Sequence, residues 1–351
     1  MTIMAHERAS ITGGVDTHRD THVAAALDQR GGQLGVETFP TTPAGHRGLL
    51  DWLESFGSVD RVGVEGTGTW GAGLTRHLLA AGVCVIEVDR PNRQRRRRTG
   101  KSDSLDAVAA ARAAQSGDAA GLAKDRTGDV EAVRALRVAR RSAQNARRTA
   151  TNQLRSLIAT APVELREDLR DLTGAKLITT AARLRPGPSG DTTAATKTAM
   201  RALARRIGHL RDEVTQLDQL LEPLVRQIAP SLLDLHAVGP DTAGALLVAA
   251  GENAGRLHSE AAFAHLCGVA PIEASSGLVT RRRLNRGGDR QANSALWRIV
   301  LIRMHTHEPT KTYVARRLAE GKSKREIMRS LKRYVAREIW PHLPNIRDTT
   351  T

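Results

Sequence analysis

Cysteine is scarce in this sequence of 351 residues: Cys84 and Cys267 stand far apart, with no CxxC or His/Cys spacing beside them. That argues against a disulfide scaffold and a zinc finger, and fits a reducing compartment. Aromatic residues make up 3% of the chain, so its cores must be aliphatic and rich in alanine. No apolar run approaches the ~18 residues that would span a bilayer. The N-terminal MTIMAHERAS has no apolar stretch of the kind that opens a signal peptide. Neither export nor membrane insertion is expected. Acid is short as well: 37 Asp and Glu face 53 Lys and Arg, a formal net charge of +16. So large an excess is the electrostatic footprint of a protein whose partner is a polyanion, nucleic acid above all.

From residue 10 to about 117, short β-type runs alternate with helical ones, which indicates an α/β unit. ITGGVD, THVAAALD and QLGVETFP read as three successive strands. A helix over TPAGHRGLLDWLESFG, a strand over DRVGVEG, a helix over TWGAGLTRHLLAAG and a strand over VCVIEV follow. The order β-β-β-α-β-α-β is that of the ribonuclease H-like (RuvC-like) fold. Residues 9–125 are therefore assigned to such a domain, residues 126–229 to a helical coiled-coil arm and residues 230–345 to a helical C-terminal domain.

In the arm, Met200, Leu203, Ile207, Leu210, Val214, Leu217, Leu221, Leu224 and Ile228 alternate spacings of three and four, an a/d seam. Its partner could be the weaker stripe over residues 130–158 of the same chain or a second copy. In the C-terminal part, LHAVGPDTAGALLVAAG has the form helix, Gly-Pro turn, helix. That resembles a helix-hairpin-helix, whose turn amides can hold a DNA phosphate. Further helices are expected over 291–306 and 323–339.

Four carboxylates end predicted elements. Asp16 closes the first strand and Glu65 the fourth, while Asp103 and Asp106, three apart, share one face of a helix's opening turn. Singly, each reads as a solvated strand end or a helix cap. In a ribonuclease H-like sheet the first and fourth strands are neighbours, so the four converge. They would then repel one another unless hard cations neutralise them, and oxygen ligands favour Mg²⁺ or Mn²⁺. His18 and His22 would lie about 13 Å apart along a strand, too far to share one zinc ion. His18 remains a candidate for touching the carboxylate cluster from outside.

Basic residues surround these acids in sequence. Arg95, Arg96, Arg97 and Arg98 precede the Asp pair, and Arg137, Arg140, Arg141, Arg147 and Arg148 stripe the first long helix, there for nucleic-acid backbone or for solvent. A second constellation is the SSG of GVAPIEASSG with Arg281, Arg282, Arg283, Arg286 and Arg290 after it. A loop serine beside clustered guanidiniums could serve as a nucleophile toward phosphate.

These motifs together resemble the IS110 insertion-sequence transposases, which include Piv-like invertases and bridge-RNA-guided recombinases. GVDTHRDTH is similar to the family's first-Asp motif, VGVEGTGTWGAGL to its Glu motif and KSDSLDA to its paired-Asp motif; the segments from LHAVGPDTAG to RRRLNRGGDRQANSALWRIV are similar to its C-terminal domain. The resemblance implies that Asp16, Glu65, Asp103 and Asp106 bind divalent metal, and that Ser276, or else its neighbour Ser275, attacks DNA to form a phosphoserine. It also implies donor and target DNA as substrates, a structured guide RNA as partner, homodimers assembling to a tetramer, and a bacterial cytoplasmic, nucleoid-associated setting. Two other readings stay open: a metal-dependent nuclease of the Holliday-junction type that uses water, and a non-catalytic nucleic-acid scaffold.

Overall fold

The computed structural model describes residues 9–88, 102–187, 191–253, 255–276, 279 and 281–344. They form two compact units: residues 9–128 with Ala250–Ser259, and Asp129–Ala249 with Glu260–Pro344. The first division falls between Gly128 and Asp129. The helices on either side of 229/230 share one unit. Ala250–Ser259 joins the first unit because Asn253 Nδ2 donates to the Ala123 carbonyl (2.7 Å) and Arg256 Nε to that of Leu122 (3.1 Å).

The first unit is built on a five-stranded sheet of order β3-β2-β1-β4-β5. Its strands are β1 (Ser10–Thr17), β2 (Thr21–Leu27), β3 (Gln33–Pro40), β4 (Ser58–Glu65) and β5 (Cys84–Val88). β1, β2 and β3 form an antiparallel meander, and β4 and β5 run parallel to β1. This is the ribonuclease H-like arrangement expected from the sequence. Helix α1 (Pro43–Phe56) starts at Thr42, whose hydroxyl accepts from Gly45 N (3.1 Å), with Pro43 in the first turn, where no amide partner is needed. With α2 (Ala72–Ala80) it covers one sheet face: Leu49, Leu53, Leu74 and Leu78 pack on Ile11, Val15, Val62, Val64 and Val85. The other face is covered by α3 (Asp103–Ser116), which brings Ala107, Val108 and Ala111 onto Val23, Ala25 and Leu27.

The fit of α3 depends on two glycines. A Cβ on Gly14 of β1 would lie 2.2 Å from Ala111 N and 2.3 Å from Ala107 O, and one on Gly63 of β4 would lie 2.4 Å from Ala110 O. The α3 backbone thus rests directly on the two central strands, a close approach that only glycine permits.

In the second unit, α4 (Asp129–Ala159) and α7 (Thr192–Ile228) pack along each other, with the short α5 (Val163–Leu169) and α6 (Gly174–Ala182) closing one end. The α7 seam finds its partners within the chain. Met200, Ala204 and Ile207 are buried with Ala150, Leu154 and Ile158 of α4 and with Leu165, Leu169, Leu177 and Ala181. The remaining elements are α8 (Pro230–Leu233), α9 (Pro240–Ala250), α10 (Glu260–Leu266), β6 (Ile272–Glu273), β7 (Arg282–Arg283), α11 (Arg290–Thr306), α12 (Glu308–Ala319) and α13 (Lys324–Ile339). The two expected C-terminal helices correspond to α11 and α13; α12 between them was not foreseen. In the segment read as helix-hairpin-helix, the helix before the turn has only four residues, because α7 runs on to Ile228 and leaves little chain for it.

Candidate functional site

Side chains alternate faces along a strand. Val15, Val62 and Val64 point to the α1/α2 side, so Asp16 and Glu65 point to the side where Gly14 and Gly63 receive α3. Parallel pairing of Val15 with Val64 puts Asp16 and Glu65 one step further along adjacent strands. The Thr17 hydroxyl donates to the Glu65 carbonyl (2.7 Å) and ties the two strand ends together. Over this edge sits the first turn of α3 with Asp103 and Asp106, and Asp106 is buried.

The resulting group is dense in negative charge. Asp16 is buried, and burial holds its carboxyl above the ordinary carboxylate range; His18 pulls the other way, while Asp106 and Asp103 add to the rise. His18 follows the end of β1, its amide donating to the Thr21 carbonyl (3.0 Å) across the turn into β2. Its Nε2 lies 3.1 Å from Asp16 Oδ2 and 3.4 Å from Asp103 Oδ2, placed for charge attraction rather than for an aligned hydrogen bond. One ligand atom from each of Asp16, His18 and Asp103 falls within 4.8 Å of the others. Carboxylate oxygens set this close match a hard divalent cation, and the imidazole is compatible with Mn²⁺ as well as with a role beside the ion.

His18 was only a peripheral expectation from the sequence, yet it reaches two of the four acids' positions. His22, read as a strand residue, is fully buried and stacks on His46 at 5.5 Å; burial, then His46 and His18, push it down to about 4. It is a neutral core residue, not part of the acidic group. The two glycines that seat α3 were missed, although glycine inside a strand already signals a close backbone approach.

The serines belong to the second unit. Ser275 and Ser276 follow β6, and Ser276 forms an isolated two-way backbone bridge with Val279. Ser275 Oγ donates to Glu273 Oε1 (3.0 Å) and accepts from the Arg281 amide (3.1 Å), so it is part of the hairpin's own bonding. Arg281, Arg282, Arg283, Arg286 and Arg290 are all exposed around this hairpin. Arg95, Arg96, Arg97 and Arg98 lie outside the described residues. On α4, Arg141 and Arg148 are exposed and Arg147 is half-buried. Arg137 and Arg140 are neither solvated nor turned outward: Arg137 Nε donates to Asp241 (3.1 Å), and Arg140 binds Asp218 and lies 3.4 Å from Asp241. They neutralise carboxylates inside the helical unit.

Two family models match the chain. The DEDD transposase model of the IS110 group covers residues 13–162, and the model described as transposase, IS116/IS110/IS902 family, covers residues 229–315. The chain belongs to the IS110 transposase family. No curated protein matches it. The first match contains Asp16, Glu65, Asp103 and Asp106; the second contains both serines and the arginines around them. The transposase is accordingly a DNA-recombining enzyme, and its DEDD domain suggests dependence on a divalent metal. Among the described residues, no helix is long and apolar enough to cross a membrane.

Proposed function

We propose that this IS110 transposase cuts and rejoins DNA strands through a phosphoserine at Ser276, with divalent metal held by Asp16, Glu65, Asp103 and Asp106. The observation behind this reading is the seating of α3 on Gly14 and Gly63, which sets the first-turn acids over the ends of β1 and β4. Bound Mg²⁺ or Mn²⁺ would supply charge neutralisation at a phosphodiester.

The Ser276 hydroxyl attacks phosphorus, losing its proton; the Oγ–P bond forms and the bond to one sugar oxygen breaks, that oxygen leaving with a proton. A sugar hydroxyl of the partner strand then attacks the phosphoserine, reseals the DNA and returns the proton to Ser276. Ser275 is tied to Glu273 and Arg281, while no hydrogen bond holds the Ser276 side chain among the described residues. Arg281, Arg282, Arg283, Arg286 and Arg290 offset charge on the attacked phosphate. We assign the target choice to a structured guide RNA lying on the exposed Arg141 and Arg148 and the half-buried Arg147, the working assembly being a homotetramer built from homodimers. The net charge of +16 supports a large polyanionic partner.

Labelled duplex DNA, incubated with the enzyme and Mg²⁺ and run on a denaturing gel, tests the reading. A protein-linked DNA band is expected from the wild-type chain and from Ser275→Ala, and none from Ser276→Ala. Cleavage without linked protein that survives Ser276→Ala would assign the chemistry to water, as in a nuclease. Binding and cleavage unaffected by Asp16→Ala would remove the metal site from the reaction.

A further inference from the structure

The second unit contains a cavity of about 430 Å³ at the root of the serine hairpin, where the loop Gly268–Pro271 enters β6 and Leu284 leaves β7. Its far wall is α13. Arg329, Arg333 and Arg337 recur every fourth residue on that helix, so they form one ridge along the wall. Lys332 and Tyr334 also face the space.

The cations here are poorly compensated. Arg333 is paired with Glu260 (2.6 Å), and Lys332 Nζ donates to the neutral amide of Asn293 (2.9 Å). Burial, and then Arg329, push the Lys332 amine below its ordinary range. Among the described residues, Arg329 and Arg337 form no close ion pair; the acid that Arg329 acts on is Glu326, one turn earlier on the helix. Opposite them the lining is apolar, with Val269, Pro271 and Leu284, while Tyr334, on α13 beside the arginines, is 50% exposed.

The loop that forms the floor is fixed from behind. Asn293 Nδ2 donates to the Cys267 carbonyl (2.9 Å), Asn285 Nδ2 donates to that of His265 (2.9 Å), and Gly268 adopts φ +65° against Gly288. This is a built concavity with excess positive charge and the Tyr334 ring on its helical wall, and an apolar surface facing them. A phosphate alone would leave the apolar half unfilled, and an apolar molecule would leave the guanidiniums unmatched. An unpaired nucleotide satisfies both, and the volume lies within the usual ~300–1,000 Å³ of small-ligand sites.

We propose that this cavity holds one unpaired nucleotide of a nucleic-acid strand, its base on Tyr334 and its phosphate on Arg329 and Arg337. From Pro271 to Ser275 the extended chain covers about 13 Å, or about four nucleotide steps at the ~3.4 Å rise of one duplex strand. The cavity thus fixes the register of a strand a few nucleotides from the hairpin's serines. The inference rests on the chain acting on DNA, and not on the serine chemistry.

The test uses the full chain carrying Ser276→Ala, so that binding is read whether or not the phosphoserine reading holds. Duplexes with one unpaired 2-aminopurine are compared with fully paired ones, in DNA and in RNA versions, by titration and by the fluorophore's quenching. Tighter binding of the bulged duplex with quenching is expected; Tyr334→Leu should abolish the quenching and Tyr334→Phe retain it. Arg329→Gln with Arg337→Gln should reduce the preference for the bulge about tenfold while binding of the paired duplex changes little. The version with the larger preference identifies the strand. No preference in either version, a preference untouched by these variants, or equal competition by a free mononucleotide would overturn the proposal.

Discussion

The carboxyl group of Asp16 ionises against its surroundings: burial comes first among the causes, and Asp106 and Asp103 oppose its charge as well. Evolution retains such a group where function needs it, at a cost to the empty fold. His18 offsets part of that cost by bringing Nε2 between Asp16 and Asp103. Removing the charge while keeping the shape separates stability from function. Asp16→Asn should raise the stability of the metal-free chain at neutral pH by about 0.5–2 kcal/mol. The same variant should lose most of the melting-temperature increase that Mg²⁺ or Mn²⁺ gives the wild-type chain, since only a ligand that binds the native state shifts the equilibrium. Differential scanning fluorimetry in EDTA and in each metal reads both effects. A variant less stable in EDTA, with the metal-dependent increase intact, would mean that Asp16 is a structural hydrogen-bonding residue instead.

Elements, rather than single residues, set the distance between the acids. Asp103 and Asp106 reach the strand ends because the Ala-rich face of α3 lies backbone to backbone on Gly14 and Gly63. Gly14→Val should therefore push α3 outward, destabilise the chain by about 1–3 kcal/mol through overpacking, and weaken Mn²⁺ binding by calorimetry more than its loss of stability explains. Unchanged Mn²⁺ affinity at wild-type levels would show that the acids do not depend on this seating. The element ends that carry these acids were legible, because periodicity of two and of three to four locates such ends. The partner of a face was not. The α7 stripe announced a helix with an apolar seam, but only the fold shows Met200 and Ile207 meeting Leu154 and Ile158 in the same chain. For the same reason Arg137 and Arg140 read as a basic surface: nothing local to α4 shows that Asp241, about a hundred residues on, and Asp218 receive them. Long-range ion pairs leave no period in the sequence.

At the scale of the whole molecule, the two halves of the proposed chemistry belong to different units: the acids to the sheet of the first and the serine to the β6–β7 hairpin of the second. An enzyme built this way can complete its site within one chain or, in an assembly of homodimers, between chains. Mixing two inactive variants decides it. If Asp16→Ala and Ser276→Ala chains are combined in equal amounts and allowed to exchange, half of the dimers are mixed. In each mixed dimer of two-fold symmetry, one of the two shared sites receives intact acids from one chain and an intact serine from the other. About a quarter of all sites should then regain activity, measured as protein-linked DNA against the wild-type yield. In a site closed within a single chain every copy lacks either its acids or its nucleophile, and the mixture stays as inactive as its components. That outcome, obtained with exchange verified by a tagged wild-type chain, would rule out assembly of the site across subunits while leaving the metal and serine assignments untouched.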